Sequence, residues 1–253
     1  MIVFRYDKTF DGLLTAVFEA YSRKAFPEKL LSETEPLPLF AGQEHRVSTD
    51  TGKSGRVWKA LNKKVPKEVC SMLMHVWLSE LEGSDELLFR YIRKTFDAPC
   101  SIAGDFTDDD ITEVAKIAKK VSRERLRLIQ FVRFQKAADD IFFAPVSPVY
   151  NALPLTLPHF TDRFASQKWL IYDIKRRYGY YYDLKTAAEV TLDDDRRLLS
   201  GRLNEELMAQ DEKLFQDLWK SYFRALTIKE RINPRLQRQH MPRRFWKFLP
   251  EKN

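Results

Sequence analysis

Residues 169–184 read WLIYDIKRRYGYYYDL, and this stretch decides the sheet of the chain. Two apolar and aromatic runs, residues 169–174 and 180–184, flank a short basic stretch that ends at Gly179. Aromatic and β-branched residues on both sides of a turn that contains glycine are typical of a β-hairpin. We therefore expect these two strands to pair antiparallel.

The residues before this hairpin predict two further strands and a short helix. Residues 141–146 are mostly apolar, and residues 126–134 alternate, although the latter also fit a continuation of the preceding helix. Residues 159–166 fit a short helix. The order strand, strand, helix, strand, strand favours an antiparallel sheet rather than a parallel nucleotide-binding sheet.

The N-terminal part predicts one strand followed by helices. Residues 2–6 suit a short strand, and residues 13–21 place apolar side chains on one helical face. Residues 27–56 contain three prolines and three glycines and predict a long connection, with a possible strand near residues 46–48. Further helices are expected over residues 54–63, 66–81, 85–95, 111–121 and 196–224.

The expected fold class is α+β. An antiparallel sheet with a strand-strand-helix-strand-strand core and an added N-terminal strand packs with a helical portion and a basic C-terminal segment. We expect three regions, residues 1–122, 123–192 and 193–253, in one compact unit. Two acidic triplets, residues 108–110 and 193–195, precede predicted helices, and we interpret them as helix caps rather than metal ligands.

The composition excludes several classes of protein. A chain of 253 residues with 44% hydrophobic content can bury a core, and no run of about 18 apolar residues predicts a membrane span. Met1 leads directly into the first predicted strand rather than into a leader peptide, so we expect a cytoplasmic protein. The two cysteines and four histidines lie in unrelated settings, so we expect no disulfide framework, no metal site and no cofactor.

The charge of the chain is concentrated at its C-terminal end. Residues 224–253 contain nine Lys or Arg residues and two acidic residues. The whole chain contains 43 basic and 36 acidic residues, so the remainder contains 34 of each and the net charge of +7 arises from this segment. A local cationic excess mixed with aromatic residues favours binding to a polyanion.

Two prolines bound the arginines of this segment. Pro234 can begin a short helix on which Arg235 and Arg238 share a face, and Pro242 should end it. Arginine binds phosphate through two parallel hydrogen bonds. The predicted nucleic-acid-binding residues of this segment are Arg231, Arg235, Arg238, Arg243, Arg244 and Trp246. The arginines would contact phosphate, and Trp246 would anchor the segment or stack on a base. Alternatively, these arginines pair with carboxylates of the body of the protein.

The turn of the predicted hairpin provides a second cationic group. Lys175, Arg176 and Arg177 directly precede Tyr178. The tip of the hairpin could therefore carry cations that hold phosphates beside a ring that stacks on a base. Arg176, Arg177 and Tyr178 would then extend the nucleic-acid surface. The alternative is an ordinary basic turn whose tyrosines pack on the sheet.

The sequence contains no established catalytic motif. Residues 51–55, TGKSG, are similar to the end of a phosphate-binding loop, but Val47 occupies the position of its first glycine. His159, Asp162, Arg163 and His240 could move protons or stabilise negative charge, which makes them the catalytic candidates. Helix capping or a local ion pair is the alternative role for His159, Asp162 and Arg163.

Several stretches resemble a bacterial family of DNA metabolism and DNA repair proteins, the domain of unknown function family 4130. The stretches are residues 2–7 with 10–14, residues 151–155 with 159–160 and 163–164, residues 169–173 with 176–179, and residues 233–242. The resemblance implies a DNA-linked role, with a radical-SAM protein or a uracil-DNA-glycosylase-like protein as partner. This sequence has no iron–sulfur cysteine cluster, so neither enzymatic activity is carried over.

The sequence therefore predicts a protein that binds nucleic acid, with DNA as the expected ligand, as an accessory in repair or modification beside a partner enzyme. Two alternatives remain open. The protein could process damaged bases or nucleic-acid ends itself, or its basic segment could dock a partner protein without contacting DNA.

Overall fold

A computed structural model describes residues 1–137, 140–192, 208–209, 212–227 and 232–252, except for the side chains of Phe223, Arg224 and Leu226. It contains two compact units, residues 1–122 and 123–253. Helices and strands together confirm the α+β class. The predicted division into three regions stays a prediction, because residues 193–207 lie outside the described part.

The helices and strands of the described residues follow in chain order. The strands are β1 Ile2–Tyr6, β2 Lys29–Ser32, β3 Gln43–Arg46, β4 Gln135–Lys136, β5 Phe142–Val146, β6 Trp169–Asp173, β7 Tyr178–Tyr182 and β8 Ala187–Val190. The helices are α1 Phe10–Arg23, α2 Thr51–Lys64, α3 Lys67–Trp77, α4 Ser84–Asp97, α5 Asp109–Phe131, α6 Leu157–Arg163, α7 Glu212–Leu226 and α8 Pro234–His240. Short 3-10 helices cover Pro154–Thr156, Arg243–Phe248 and Pro250–Lys252.

The N-terminal unit has a parallel sheet in the order β2-β1-β3. The predicted strand over residues 2–6 is confirmed as β1, the possible strand near residues 46–48 lies at the end of β3, and β2 falls in the stretch that was predicted as a long connection. Central β1 is almost wholly buried, as its apolar sequence requires. The flanking strands KLLS and QEHR carry polar residues, because they lie at the edges of the sheet. Buried Arg5 holds both edges, since its Nη1 donates to Ser32 O at 2.8 Å and its Nε donates to Glu44 at 2.8 Å.

The predicted helices of this unit are confirmed, and one of them is longer than expected. The predicted strand over residues 126–134 is wrong, because α5 runs to Phe131 and residues 132–134 belong to no strand. The alternative of a prolonged helix is correct up to Phe131. Val121, Glu124 and Leu128 are all buried at helical spacing, which continues the inward face of α5. Asp108 accepts from the backbone N–H of Ile111 at 3.3 Å, as the capping interpretation predicts. The second acidic triplet lies outside the described residues.

The C-terminal unit contains a five-stranded sheet in the order β4-β5-β6-β7-β8. The predicted hairpin is confirmed, because β6 and β7 pair antiparallel with Trp169 opposite Tyr182. The prediction of a purely antiparallel sheet is wrong, since β5 and β6 are parallel. A 3-10 helix and α6 lie between these two strands and bring the chain back to the same end of the sheet, as parallel pairing requires.

The C-terminal segment is helical where it is described. The helix predicted over residues 196–224 is confirmed as α7 from Glu212 onward. The prediction is wrong at Met208 and Ala209, because Met208 forms an antiparallel β-bridge with Ala137. Its residues before Met208 lie outside the described part. Helix α8 begins at Pro234 and ends at His240. In the described part of the chain, no helix combines the length and apolar character needed to cross a membrane.

Candidate nucleic-acid interface

Helix α8 presents two arginines on an ordered scaffold. The side chain of Asn233 accepts from the backbone N–H of Leu236 at 3.0 Å, and Pro234 occupies the first turn, so the helix begins with a side-chain cap. Arg235 and Arg238 are three residues apart and therefore lie on one side of the helix. Both side chains are exposed, and neither bonds to another described residue.

A 3-10 helix, Arg243–Phe248, follows α8 and carries a third exposed arginine. The guanidinium of Arg243 lies 5.8 Å from the ring centre of Trp246. The indole N–H of Trp246 donates to the carbonyl of Met241 at 3.0 Å and joins this segment to the end of α8. Phe245 and Phe248 are buried. Trp246 thus serves as an anchor in this structure, and Arg243 stays at the surface.

Arg244, the next residue, bonds to a buried carboxylate instead of lying free at the surface. Its Nη2 donates to Glu124 on α5, a carboxylate whose side chain is only 1% exposed. Glu124 also accepts from the backbone N–H of Val149 at 2.9 Å, and Arg127 lies 3.6 Å away. Arg244 is therefore committed to an internal ion pair, as the alternative for these arginines predicts.

The turn between β6 and β7 is also held internally. Arg176 Nη1 donates to the fully buried Asp173 at 2.8 Å and to the carbonyl of Pro148 at 3.1 Å. The hydroxyl of Tyr178 donates to Asn151, and burial raises the pKa of Tyr178. Arg177 is exposed and has a positive φ of 59°, which the tight turn requires. The nucleic-acid role of these three residues stays a prediction, but Arg176 and Tyr178 have structural partners.

Glu251, the acidic residue that follows these arginines in sequence, is already occupied. Glu251 has a side chain 1% exposed, lies 3.1 Å from Arg133 Nη2 and accepts from the indole N–H of Trp219 at 3.0 Å. It therefore does not neutralise the exposed cations of α8. We call the three exposed arginines of α8 and the following 3-10 helix, Arg235, Arg238 and Arg243, the α8 arginine group. Arg231, the other predicted member, lies outside the described residues.

The catalytic candidates do not form a bonded group in the described part of the structure. His159 is half-buried on α6, with its ring centre 5.3 Å from that of Phe160. Asp162 and Arg163 are exposed on the same helix, and no hydrogen bond joins them to each other or to His159 among the described residues. His240 is exposed at the end of α8. Their catalytic role stays a prediction.

Metal binding has no support in the described part of the chain. Among those residues, no three His, Cys, Asp or Glu side chains lie close enough to hold an ion together.

The sequence did not predict the role of Glu124, which accepts a hydrogen bond from Arg244. Its only signal was the helical spacing of residues 121, 124 and 128, which places a carboxylate on the buried face of α5.

Comparisons with known proteins give a family and a remote structural likeness. A family model described as a domain of unknown function (DUF4130) matches residues 82–251. No curated protein matches the chain in sequence. A solved structure of a pGpG-specific phosphodiesterase, PggH, from Vibrio cholrae is 11% identical, with a TM-score of 0.30 over 88% of this chain and 98% of that one. At that TM-score the likeness carries no argument about function.

Proposed function

This chain belongs to the domain of unknown function family DUF4130, and we propose that it is a nucleic-acid-binding accessory protein in DNA repair or modification. Its ligand in this proposal is DNA. Its partner is the enzyme that acts on the DNA, for which the family resemblance implies a radical-SAM or uracil-DNA-glycosylase-like protein. The observation that supports the proposal is the α8 arginine group, three exposed cations without a carboxylate partner among the described residues.

The chemistry of this group fits phosphate. Exposed guanidinium groups close together repel one another, and an anion removes this repulsion while accepting two hydrogen bonds from each fork. Arg235 and Arg238 are separated by about 4.5 Å along the axis of α8, so both can reach one backbone. The cap at Asn233 and the anchor at Trp246 hold both ends of the helix, which lowers the entropic cost of binding.

Removing two arginines is expected to weaken DNA binding without unfolding the protein. Each phosphate contact changes the logarithmic salt slope by about 0.9 on duplex DNA, which corresponds to about eightfold in affinity between 1 M and 0.1 M salt. We therefore expect R235A/R238A to bind a short duplex roughly 10- to 60-fold more weakly at about 0.1 M salt. Fluorescence anisotropy measures the affinity, and circular dichroism verifies the fold.

The matched control removes the same charge from another part of the same unit. Lys168 and Lys185 are exposed and make no side-chain bond to a described residue, so K168A/K185A is expected to change affinity less than threefold, through long-range charge alone. Equal losses in the two double variants would mean that net charge rather than the α8 arginine group binds DNA. Unchanged affinity in R235A/R238A would reject the proposed site.

Helix α7 favours a second candidate function, the docking of a partner protein. Leu214, Phe215, Leu218 and Tyr222 recur at helical spacing on one face of α7, and each is more than half exposed. Exposed apolar side chains grouped in this way mark protein interaction surfaces in soluble proteins. This face could hold the partner enzyme while the α8 arginine group holds DNA.

A charge placed on this apolar face separates docking from DNA binding. We expect L218E to abolish co-purification of the partner enzyme, because it places a charge in the apolar interface. The DNA affinity should stay within about twofold of the wild type, because Leu218 is 56% exposed and the fold does not depend on its side chain. D217A, on a polar side of the same helix, is the control. Retention of the partner by L218E would exclude this face as the docking surface.

A further inference from the structure

The N-terminal unit contains a helix whose charge is wholly positive. From Thr51 to Lys67 the chain has six Lys or Arg residues and no Asp or Glu. The whole unit, residues 1–122, contains 18 basic and 19 acidic residues, so its near-neutral total charge conceals this local excess of cations. Helix α2 and the residues that follow it therefore form a local cationic surface.

Three of these cations lie on one side of α2. Arg56, Lys59 and Lys63 are spaced three and four residues apart, so their side chains fall within about 60° of one another around the axis and span about 10 Å along it. All three are exposed, and none bonds to another described residue. We call them the α2 cation row.

Other lysines of the same helix have internal partners. Lys53 donates to Glu19, and this bond together with that from Arg23 lowers the pKa of Glu19 to about 2. Lys64 Nζ donates to the carbonyls of Phe96 and Ala98, each at 2.8 Å. The helix thus uses these two lysines to brace the unit. Lys59 and Lys63 bond to no described carboxylate, and Arg56 lies within electrostatic range of Asp50, the N-cap of α2, without a hydrogen bond to it.

An aromatic groove lies beside the α2 cation row. It has a volume of about 540 Å³ and runs between α1, α2 and the end of α4. Arg56 and Val57 of α2 line one wall. Phe18, Tyr21 and Phe96 supply three half-buried rings. Arg56 therefore belongs both to the cation row and to the groove.

The rings of the groove are held in place. Tyr21 donates its hydroxyl hydrogen to Asp97 at 2.6 Å, and its ring meets that of Phe96 edge to face with centres 6.0 Å apart. Arg93 lies 3.5 Å from Asp97. The negative charge beside the groove is thereby compensated, and the rings need no reordering to accept a flat apolar group.

We propose that this groove and the α2 cation row bind single-stranded nucleic acid. The backbone phosphates lie along Arg56, Lys59 and Lys63, and a base enters the groove and packs on its rings. This inference rests on the proposed function, which supplies nucleic acid as the ligand. It differs in that the site lies in the N-terminal unit and the bound nucleic acid is single-stranded. A row of cations beside aromatic rings is the pattern by which proteins hold unpaired strands.

The arrangement of charge favours a nucleic-acid strand over an acidic peptide. A single strand carries its charge along one edge, and its bases project from that edge, which matches one cation row with rings beside it. An acidic amphipathic helix would also place apolar side chains in the groove. Such a peptide is therefore the competing outcome of the test.

The test compares charge-matched variants on two strands. The probe is a fluorescent oligodeoxythymidine of about 12 nucleotides, together with an abasic strand of the same length and charge. For the wild-type protein we expect the abasic strand to bind at least fivefold more weakly, because stacking on rings contributes about 1–3 kcal/mol per base. Equal binding of the two strands would overturn the role of the groove.

The variants assign this binding to the α2 cation row. R56A/K59A/K63A is expected to lose at least tenfold in affinity for the oligodeoxythymidine, whereas K116A/K119A/K120A, which removes the same charge from α5 of the same unit, loses less than threefold. Equal losses in the two triple variants would reject the cation row. Direct binding of an acidic amphipathic peptide, together with no binding of the oligonucleotide, would also overturn the inference.

The two proposed surfaces can fail independently. If R235A/R238A loses duplex binding but R56A/K59A/K63A binds the oligodeoxythymidine like the wild type, the proposed function stands and the α2 site is wrong. If the α2 variant loses the oligodeoxythymidine and R235A/R238A keeps its duplex affinity, the α2 site stands and the assignment to α8 is wrong.

Discussion

Substitution of Gly179 by alanine is expected to destabilise the C-terminal unit by about 3 kcal/mol or more. Gly179 lies on β7 directly opposite Tyr172 of β6. A Cβ atom at this position would stand 2.4 Å from the carbonyl oxygen of Ile171 and 2.9 Å from the Cα of Tyr172. These are backbone atoms of the central strand pair, so no side-chain rotation can relieve the contact and the strands must separate.

Urea unfolding followed by circular dichroism measures this loss. The control is Gly55→Ala, because a Cβ atom at Gly55 meets nothing within 4 Å and the residue lies within helix α2. Alanine at this position should be neutral or should stabilise the protein by up to about 1 kcal/mol. It lowers the conformational entropy of the unfolded chain and has a higher helix propensity than glycine. A Gly179→Ala protein as stable as the wild type would contradict the described register of β6 and β7.

Removal of the buried charge at Glu124 is expected to cost about 3 kcal/mol. In Glu124→Gln the side chain keeps its size, but Arg244 and Arg127 lose the carboxylate that compensates them. A half-buried guanidinium that has lost its carboxylate keeps its desolvation penalty without the attraction that offset it. The loss of stability therefore exceeds the net contribution of the intact ion pair. The 3-10 helix Arg243–Phe248 should loosen as a result.

A matched exposed glutamate is the control for Glu124. Glu113 lies on the same helix and pairs with Lys116 at 3.6 Å, with both side chains well exposed to solvent. Glu113→Gln should therefore change the free energy of unfolding by less than about 0.5 kcal/mol. If the two variants unfold at the same urea concentration, the pairing of Glu124 with Arg244 does not stabilise the C-terminal unit.

Local patterns predicted the elements whose partners lie close in sequence. The hairpin of β6 and β7 follows from two aromatic runs and one turn, and the start of α5 follows from the acidic cap at Asp108. The parallel pairing of β5 with β6 did not follow, because it depends on a connection that contains α6. Strand β2 was not predicted, and β3 was predicted only as a possible strand near its end, because these short sequences become strands through pairing with β1.

The candidate site was predictable in its charge but not in the assignment of each arginine. Arg243 and Arg244 are neighbours with the same side chain, yet one is exposed and the other bonds to a carboxylate 120 residues away. Only the fold reveals that partner. The α2 cation row was hidden for another reason. Most of the acids that balance it lie in other elements of the N-terminal unit, so the total charge of the unit does not reveal the local excess of cations.

The salt dependence of DNA binding tests the central claim most directly. Affinity for a short duplex, measured between about 0.05 M and 0.3 M salt, gives a logarithmic slope proportional to the number of phosphates neutralised. For R235A/R238A we predict a slope shallower than that of the wild type by about 1.8, and for K168A/K185A an unchanged slope. Identical slopes for the wild type and R235A/R238A would contradict phosphate binding by the α8 arginine group.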